Sequence, residues 1–296
     1  MSYIRKEKRL ALAALDYSGM STKDLQKLAR KVLKEGMHGL CFSPYEEGQN
    51  PGDQMSEAQI RRRMKLISPY TQWIRSFSCT DGNEQIPRIA REFGIKTMVG
   101  AWLGDDPEIN RKEIDNLITI VNEGHVDIAA VGNEVMYRGD LSEEELLDFI
   151  QEVKQKVTND TPIGYVDAYY EFSERPRITE ACDIILANCY PFWEGCDLDY
   201  SLLYIKDMYN KALRAGNGKK VVVSETGWPS QGTNLDGAFP SYENFLKYFM
   251  NMQKWSQEED IEIFYFSSFD ESWKVGAEGD VGAYWGLWDK DEKLKF

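Results

Sequence analysis

Eight short apolar runs, rich in β-branched residues and separated by stretches of helical periodicity, constrain this chain more than any other feature. They lie at 38–43, 73–78, 95–101, 127–132, 162–166, 183–188, 220–224 and 262–267. Strand-like runs that alternate with helical ones imply parallel βαβ units. Eight such units are what a closed (β/α)8 barrel needs, and that barrel takes about 250 residues. The chain has 296 residues, and no Pro/Gly/Ser-rich linker divides it. One α/β barrel domain over 1–296 is therefore expected. Helix signals support this. Ser21, Ser56 and Ser142 stand where N-caps belong, Gln59 and Glu145 complete candidate capping boxes, Pro107 suits a first helical turn, and Gly36, Gly94 and Gly216 suit C-terminal stops. After the eighth run no helical repeat follows, only a loop and the tail 289–296. A helix at 21–35 precedes the first run, with Leu25, Leu28, Ala29, Val32 and Leu33 on one face. The segment 1–36 is expected to fill the slot of the eighth helix and close the barrel.

Charge narrows the chemistry. With 35 Lys+Arg against 49 Asp+Glu the net charge is −14, which disfavours nucleic acid and anionic membranes as partners. A neutral polymer meets no such repulsion. The five cysteines, Cys41, Cys79, Cys182, Cys189 and Cys196, form no CxxC pair, and the two histidines are His38 and His125. Neither a metal site nor any other cofactor is expected, and carboxylates must carry acid–base work. The apolar stretch 10–15 is too short for a signal h-region, and no run is long enough to span a membrane. The expected location is cytoplasmic, or periplasmic or secreted if a leader was removed. The sequence does not indicate an oligomeric state.

Two of the runs end on glutamates in distinctive settings. Val131-Gly132-Asn133-Glu134 closes the fourth, and Val223-Ser224-Glu225-Thr226-Gly227-Trp228-Pro229-Ser230 closes the seventh. Barrel enzymes carry their chemistry at the C-terminal strand ends. Glycoside hydrolysis needs two carboxyls there, and an adjacent Asn can bond a sugar 2-OH. The bland alternatives are a Glu134–Arg138 ion pair and a junction Glu225 with Trp228 as core. Aromatic residues also gather at strand ends or in the following loops: Tyr45, Trp102, Tyr169, Tyr190, Phe192, Trp193, Phe269, Trp273 and Trp285. Singly each is better explained as core; gathered at one mouth they suit the apolar faces of sugars.

These stretches resemble glycoside hydrolase family 17, the β-1,3-glucanase family, from about residue 38 onward. The resemblance rests on Gly132-Asn133-Glu134, Ala187-Asn188-Cys189-Tyr190-Pro191, Val222 to Ser230, Ser268-Phe269-Asp270-Glu271-Ser272-Trp273-Lys274 and Trp285-Gly286-Leu287-Trp288. It implies that Glu134 is the acid/base, that Glu225 is the nucleophile, and that Glu271 and Lys274 form a polar cluster beside it. A further Glu of plant members would fall on Gly282 here, with Glu278 or Asp280 as substitutes. Phe42-Ser43-Pro44-Tyr45 and Gly282-Ala283-Tyr284-Trp285-Gly286 resemble a bacterial branch. The expected substrate-binding set is Tyr45, Arg75, Trp102, Asn133, Tyr169, Tyr190, Trp193, Trp228, Phe269, Glu271, Trp273, Lys274 and Glu278. The implied activity is retaining hydrolysis of laminarin-type β-1,3-glucan through a covalent glucosyl-enzyme. The alternatives are a glucanosyltransferase using the same residues and, more distantly, a non-catalytic glucan-binding barrel. A Schiff-base Lys or a phosphate loop, marks of other barrel enzymes, is not found.

Overall fold

The computed structural model describes residues 15, 17 and 19–296. The apolar stretch at 10–15 falls, apart from Leu15, outside the described residues. Eight parallel strands close on themselves in sequence order: β1 Met37–Cys41, β2 Thr71–Ser76, β3 Lys96–Ala101, β4 Ile128–Asn133, β5 Ile163–Ala168, β6 Ile184–Asn188, β7 Val221–Thr226 and β8 Ile263–Tyr265. The seam is made by Gly39 and Leu40 of β1 against Phe264 and Tyr265 of β8. The chain is thus a (β/α)8 barrel, as the alternation of runs implied. Each observed strand starts within two residues of its expected run. β7 runs on to Thr226, which puts Glu225 inside the strand, and β8 stops early at Tyr265.

The strands β4, β5, β6 and β7 are buried nearly end to end, as parallel strands covered on both faces must be. Around them lie α1 Thr22–Glu35, α2 Glu57–Ile67, α3 Ile86–Glu92, α4 Pro107–Asn122, α5 Val135–Arg138, α6 Glu143–Lys156, α7 Glu171–Glu174, α8 Pro176–Ala181, α9 Leu198–Gly216, α10 Tyr242–Glu259 and α11 Val275–Glu278. Ser142 and Glu145 form a full capping box on α6. Ser56 caps α2 through the Gln59 N–H, but the Gln59 amide is drawn away to the Pro44 carbonyl at 2.6 Å, so that box is half made. Gly216 proves to be the last residue of α9; the left-handed position is filled by Asn217.

α1 buries Leu25, Ala29 and Leu33 and lies against α10, with Gln26 donating to the Tyr242 hydroxyl at 2.9 Å. The tail does more than its lack of periodicity suggested. Phe296 is buried and packs on Phe245 and Phe249 of α10. The Lys295 ammonium reaches Asp270 at 2.7 Å and Ser230 at 3.0 Å, tying together the loops that follow β7 and β8.

Register slips interrupt the ladder between Ala130 and Asn133, between Ala187 and Asn188, and between Val223 and Thr226. Such bulges at a barrel rim re-aim side chains. In β4 the bulge turns on Gly132, whose φ is +87° and where a Cβ would come within 2.9 Å of Val135. A glycine is required there, and it directs the next two residues, Asn133 and Glu134, to the mouth.

Candidate active site

The slips on β4, β6 and β7 bring together Glu134, Asn188 and Glu225. The Asn188 amide nitrogen donates to Oε1 of Glu134 at 2.8 Å and to Oε1 of Glu225 at 3.1 Å. Its own oxygen accepts from Ser224 Oγ at 2.8 Å, which fixes which way the amide faces. Two oxygens that share one donor at those lengths lie within about 6 Å of each other, which suits the about 5–5.5 Å of a retaining carboxyl pair better than the about 6.5–9.5 Å of an inverting one.

The two carboxyls have different surroundings. Glu225 accepts from Arg75 Nη1 and from the Tyr190 hydroxyl at 2.8 Å, besides Asn188. Arg75 is fully buried and also donates to Asn133 Oδ1 at 2.6 Å, so one guanidinium orients both Glu225 and the Asn expected to meet the sugar. Glu134 has Asn188 and no cation bonded to it. Burial, followed by the charge of Glu225, raises its carboxyl to about 7. That is the state of a proton donor at neutral pH. Arg138 does not pair with Glu134: it bonds Asp140 and the carbonyls of Asn133 and Leu103, so the ion-pair alternative falls away.

Beyond Glu225 the loop after β8 supplies a second polar group. Glu271 accepts from Ser43 Oγ at 2.5 Å and from Trp273 Nε1 at 3.2 Å, and lies 3.0 Å from Lys274 Nζ. Glu278 is 3.9 Å from the same ammonium. Burial alone would lower Lys274, but Glu271 and Glu278 outweigh it and hold it protonated. A Cβ on Gly282 would come within 2.6 Å of the Lys274 carbonyl, so a Glu has no room there. Asp280 is turned outward to Thr233. Glu278 therefore occupies the place beside Lys274.

The aromatic set divides. Trp102 is 40 % exposed and Trp193 is 38 % exposed; the Arg138 guanidinium lies 4.5 Å over the Trp102 ring. Tyr45 and Trp273 meet edge to face, with centroids 6.1 Å apart. Behind Trp193, the buried Trp285 ring meets Phe192 and the half-buried Tyr190 edge to face. Trp228 and Phe269 must be corrected. Both are fully buried: Trp228 donates to the Phe239 carbonyl at 3.0 Å and packs on Phe192 and Tyr248, while Phe269 packs under Arg63. Neither can offer a face to a sugar. Tyr169 is nearly buried, against Tyr170 and under Lys211 of α9, and no contact joins it to the carboxyl pair. The sequence reading gave no role to Asn188, Ser224 or Ser43. Asn188 stood within a quoted motif, but only the bulged register shows that it bridges two strands.

Among the described residues no group of His, Cys, Asp and Glu is placed to hold a metal ion. All five cysteines are free. Among the described residues no helix is long and apolar enough to cross a membrane.

Comparison with known proteins agrees with this geometry. The glucan 1,3-beta-glucosidase of Saccharomyces cerevisiae is 25 % identical over 275 residues, covering 83 % of this chain and 87 % of the relative. That of Arthroderma benhamiae is 28 % identical over 269 residues, covering 83 % and 85 %. A solved structure, the glycoside hydrolase family 17 beta-1,3-glucanosyltransferase of Rhizomucor miehei, superposes with a TM-score of 0.79 at 28 % identity over 88 % of this chain and 96 % of that one. A Bacteroides uniformis beta-glucuronidase, at 17 % identity and a TM-score of 0.66, shares the fold alone. The model of the BtgE/BtgC glycoside hydrolase domain matches residues 39–286, and with the carboxyl pair intact at the barrel mouth the chain belongs to that family, within glycoside hydrolase family 17.

Proposed function

We propose that this chain is a retaining hydrolase of β-1,3-glucan. The observation that carries the reading is the single Asn188 amide shared by Glu134 and Glu225, which keeps the bonded oxygens of two differently surrounded carboxyls within about 6 Å, a distance that suits retention. Glu225 attacks the anomeric carbon; the bond to the leaving oxygen breaks as Glu134 gives that oxygen its proton. Glu134 then takes a proton from the incoming acceptor, which displaces Glu225 from the sugar. The fungal relatives named as glucan 1,3-beta-glucosidases support the β-1,3 linkage. A Rhizomucor miehei neighbour, 27 % identical, was solved with laminaritriose.

A second reading has a specific observation behind it: the neighbour with a TM-score of 0.79 is named a glucanosyltransferase. Water and a sugar hydroxyl use the same two glutamates, so the acceptor alone separates the two activities. A linkage-resolved product profile on laminari-oligosaccharides tests both. Shorter products at all concentrations support hydrolysis, and products longer than the substrate at high concentration support transfer. No turnover of any β-1,3-linked substrate would overturn both in favour of a binding barrel.

The substrate-contacting set is read as Tyr45, Arg75, Trp102, Asn133, Tyr190, Trp193, Glu271, Trp273, Lys274 and Glu278. α1 is read as the outer helix closing the barrel, supported by its packing against α10; loss of solubility on deleting 1–35 would bear this out, and an unchanged melting temperature would refute it. A bacterial kinship rests on the resemblance around Phe42 and Trp285 alone. Five free thiols suit a reducing compartment, which supports a cytoplasmic location.

A further inference from the structure

Glu134 has two conflicting demands on it. By position it is the N-cap of α5, with φ 51° and ψ 30°. A Ser, Thr, Asp or Asn at that position, on extended backbone, folds back to accept from the N–H of the second or third helical residue. By chemistry its carboxyl has to face the sugar. The structure shows no such fold-back: Glu134 makes no cap bond, and its carboxyl reaches out to Asn188.

The two N–H groups it leaves are taken from the neighbouring strand. The Met136 N–H, second in α5, donates to the Tyr165 hydroxyl at 2.9 Å. The Tyr137 N–H, third in α5, donates to Oδ2 of Asp167 at 3.3 Å. The Tyr165 hydroxyl donates in turn to that same oxygen, and Oδ1 of Asp167 accepts from the Ala168 N–H at 2.7 Å. Tyr165 and Asp167 are completely buried on β5. A buried carboxylate is costly unless something demands it, and nothing else described in the site uses this one.

We propose that Tyr165 and Asp167 are positioning residues for the acid/base: they cap α5 in place of Glu134 and so leave its carboxyl free for proton transfer. The proposal rests on the reading of Glu134 as acid/base. Asp167 has an electrostatic consequence as well. Glu225 and Asp167 both disfavour charge on Glu134, while Asn188 and Arg75 favour it. Asp167 itself is surrounded by the Tyr165 hydroxyl, the Tyr137 and Ala168 N–H groups and Glu171, with Arg175 beyond, bonded to Glu171. Burial raises Asp167 to about 6; its charged form adds to the field that keeps Glu134 protonated.

The test uses Tyr165→Phe, Asp167→Asn and Asp167→Ala in the full chain. Each is assayed on a laminari-oligosaccharide and on an aryl β-laminaribioside with a dinitrophenyl leaving group, which needs no protonation to depart. Tyr165→Phe and Asp167→Ala should lower kcat on the oligosaccharide, on the order of 10²-fold for a misplaced acid, while the initial aryl burst stays near that of the parent protein. Asp167→Asn keeps an acceptor for the Tyr137 N–H and should lose less. With the charge gone, Glu134 ionises more easily, so the alkaline limb of its kcat/KM profile should move to lower pH. A merely structural role would lower both substrates alike and leave that limb in place. Equal losses on both substrates, no loss on either, or an unmoved limb in Asp167→Asn would overturn the proposal. The control Glu134→Ala separates the two levels: without a leaving-group split in that variant, the acid/base reading itself fails.

Discussion

The ends of β4 and β7 carry the same side chain in opposite circumstances. Glu225 sits in a bulged but continuous strand and accepts from Arg75, Tyr190 and Asn188. Glu134 sits one residue past its strand, in a left-handed conformation, with one amide donor, no cation bonded to it and an acidic neighbour. A cation and two further fixed donors suit a carboxylate that must stay charged and hold its place under an anomeric carbon. Burial near another negative charge suits a carboxyl that must hold a proton and give it up. On the proposed reading, two identical residues are divided into nucleophile and acid by what surrounds them, with Asn188 bonded to both.

The largest expected effect comes from deleting each partner. Glu225→Ala should lower kcat on every substrate by about 10⁵–10⁶-fold, the scale on which loss of a covalent nucleophile falls. Glu134→Ala should cost about 10²–10⁴-fold on natural glucan and far less in the first step with an activated aryl leaving group. Equal losses in both variants on the activated substrate would erase the distinction between the two strand ends.

A smaller effect should follow from removing the cation. Arg75 is wholly buried, and Arg75→Met leaves Glu225 buried beside Glu134 with its partner gone. Breaking a buried pair in this way costs about 3–5 kcal/mol. A lowered melting temperature together with impaired turnover is expected. Unchanged stability and activity would show that Arg75 does not distinguish the two carboxyls.

The smallest effect is the most specific. Glu225→Gln removes the negative charge that raises Glu134, so the Glu134 carboxyl should titrate below its value of about 7. It should stay above the ordinary Glu value near 4.3, because its burial is unchanged. Carbon-detected NMR titration of the two proteins reads this directly, and coincident curves would show the sites to be uncoupled.

The sequence made the strands legible because most of their residues are buried on both faces and so read as apolar runs. It made the glutamates legible because both stand at the ends of such runs. It could not reveal Asn188 as the bridge, since its contacts span 54 and 37 residues and depend on bulges that no periodicity records. Trp228 misled for a related reason: an aromatic beside a strand-end glutamate packs inward or outward according to how the chain around it folds, and here the indole bonds the Phe239 carbonyl and packs on Phe192 and Tyr248. The tail was undervalued because Lys295 and Phe296 are anchored singly, by an ion pair and a ring contact, with no repeating face to betray them.

The most direct test of the division of roles is the anomeric configuration of the azide adduct that each alanine variant forms from an activated aryl β-laminaribioside. In Glu134→Ala, Glu225 still forms its α-linked glycosyl-enzyme, and azide opens it to the β-glycosyl azide. In Glu225→Ala, azide enters the space left by the carboxylate and attacks once, which yields the α-glycosyl azide. The account predicts that pair of products, β from the first variant and α from the second. The reverse pair, or the same anomer from both, would contradict it.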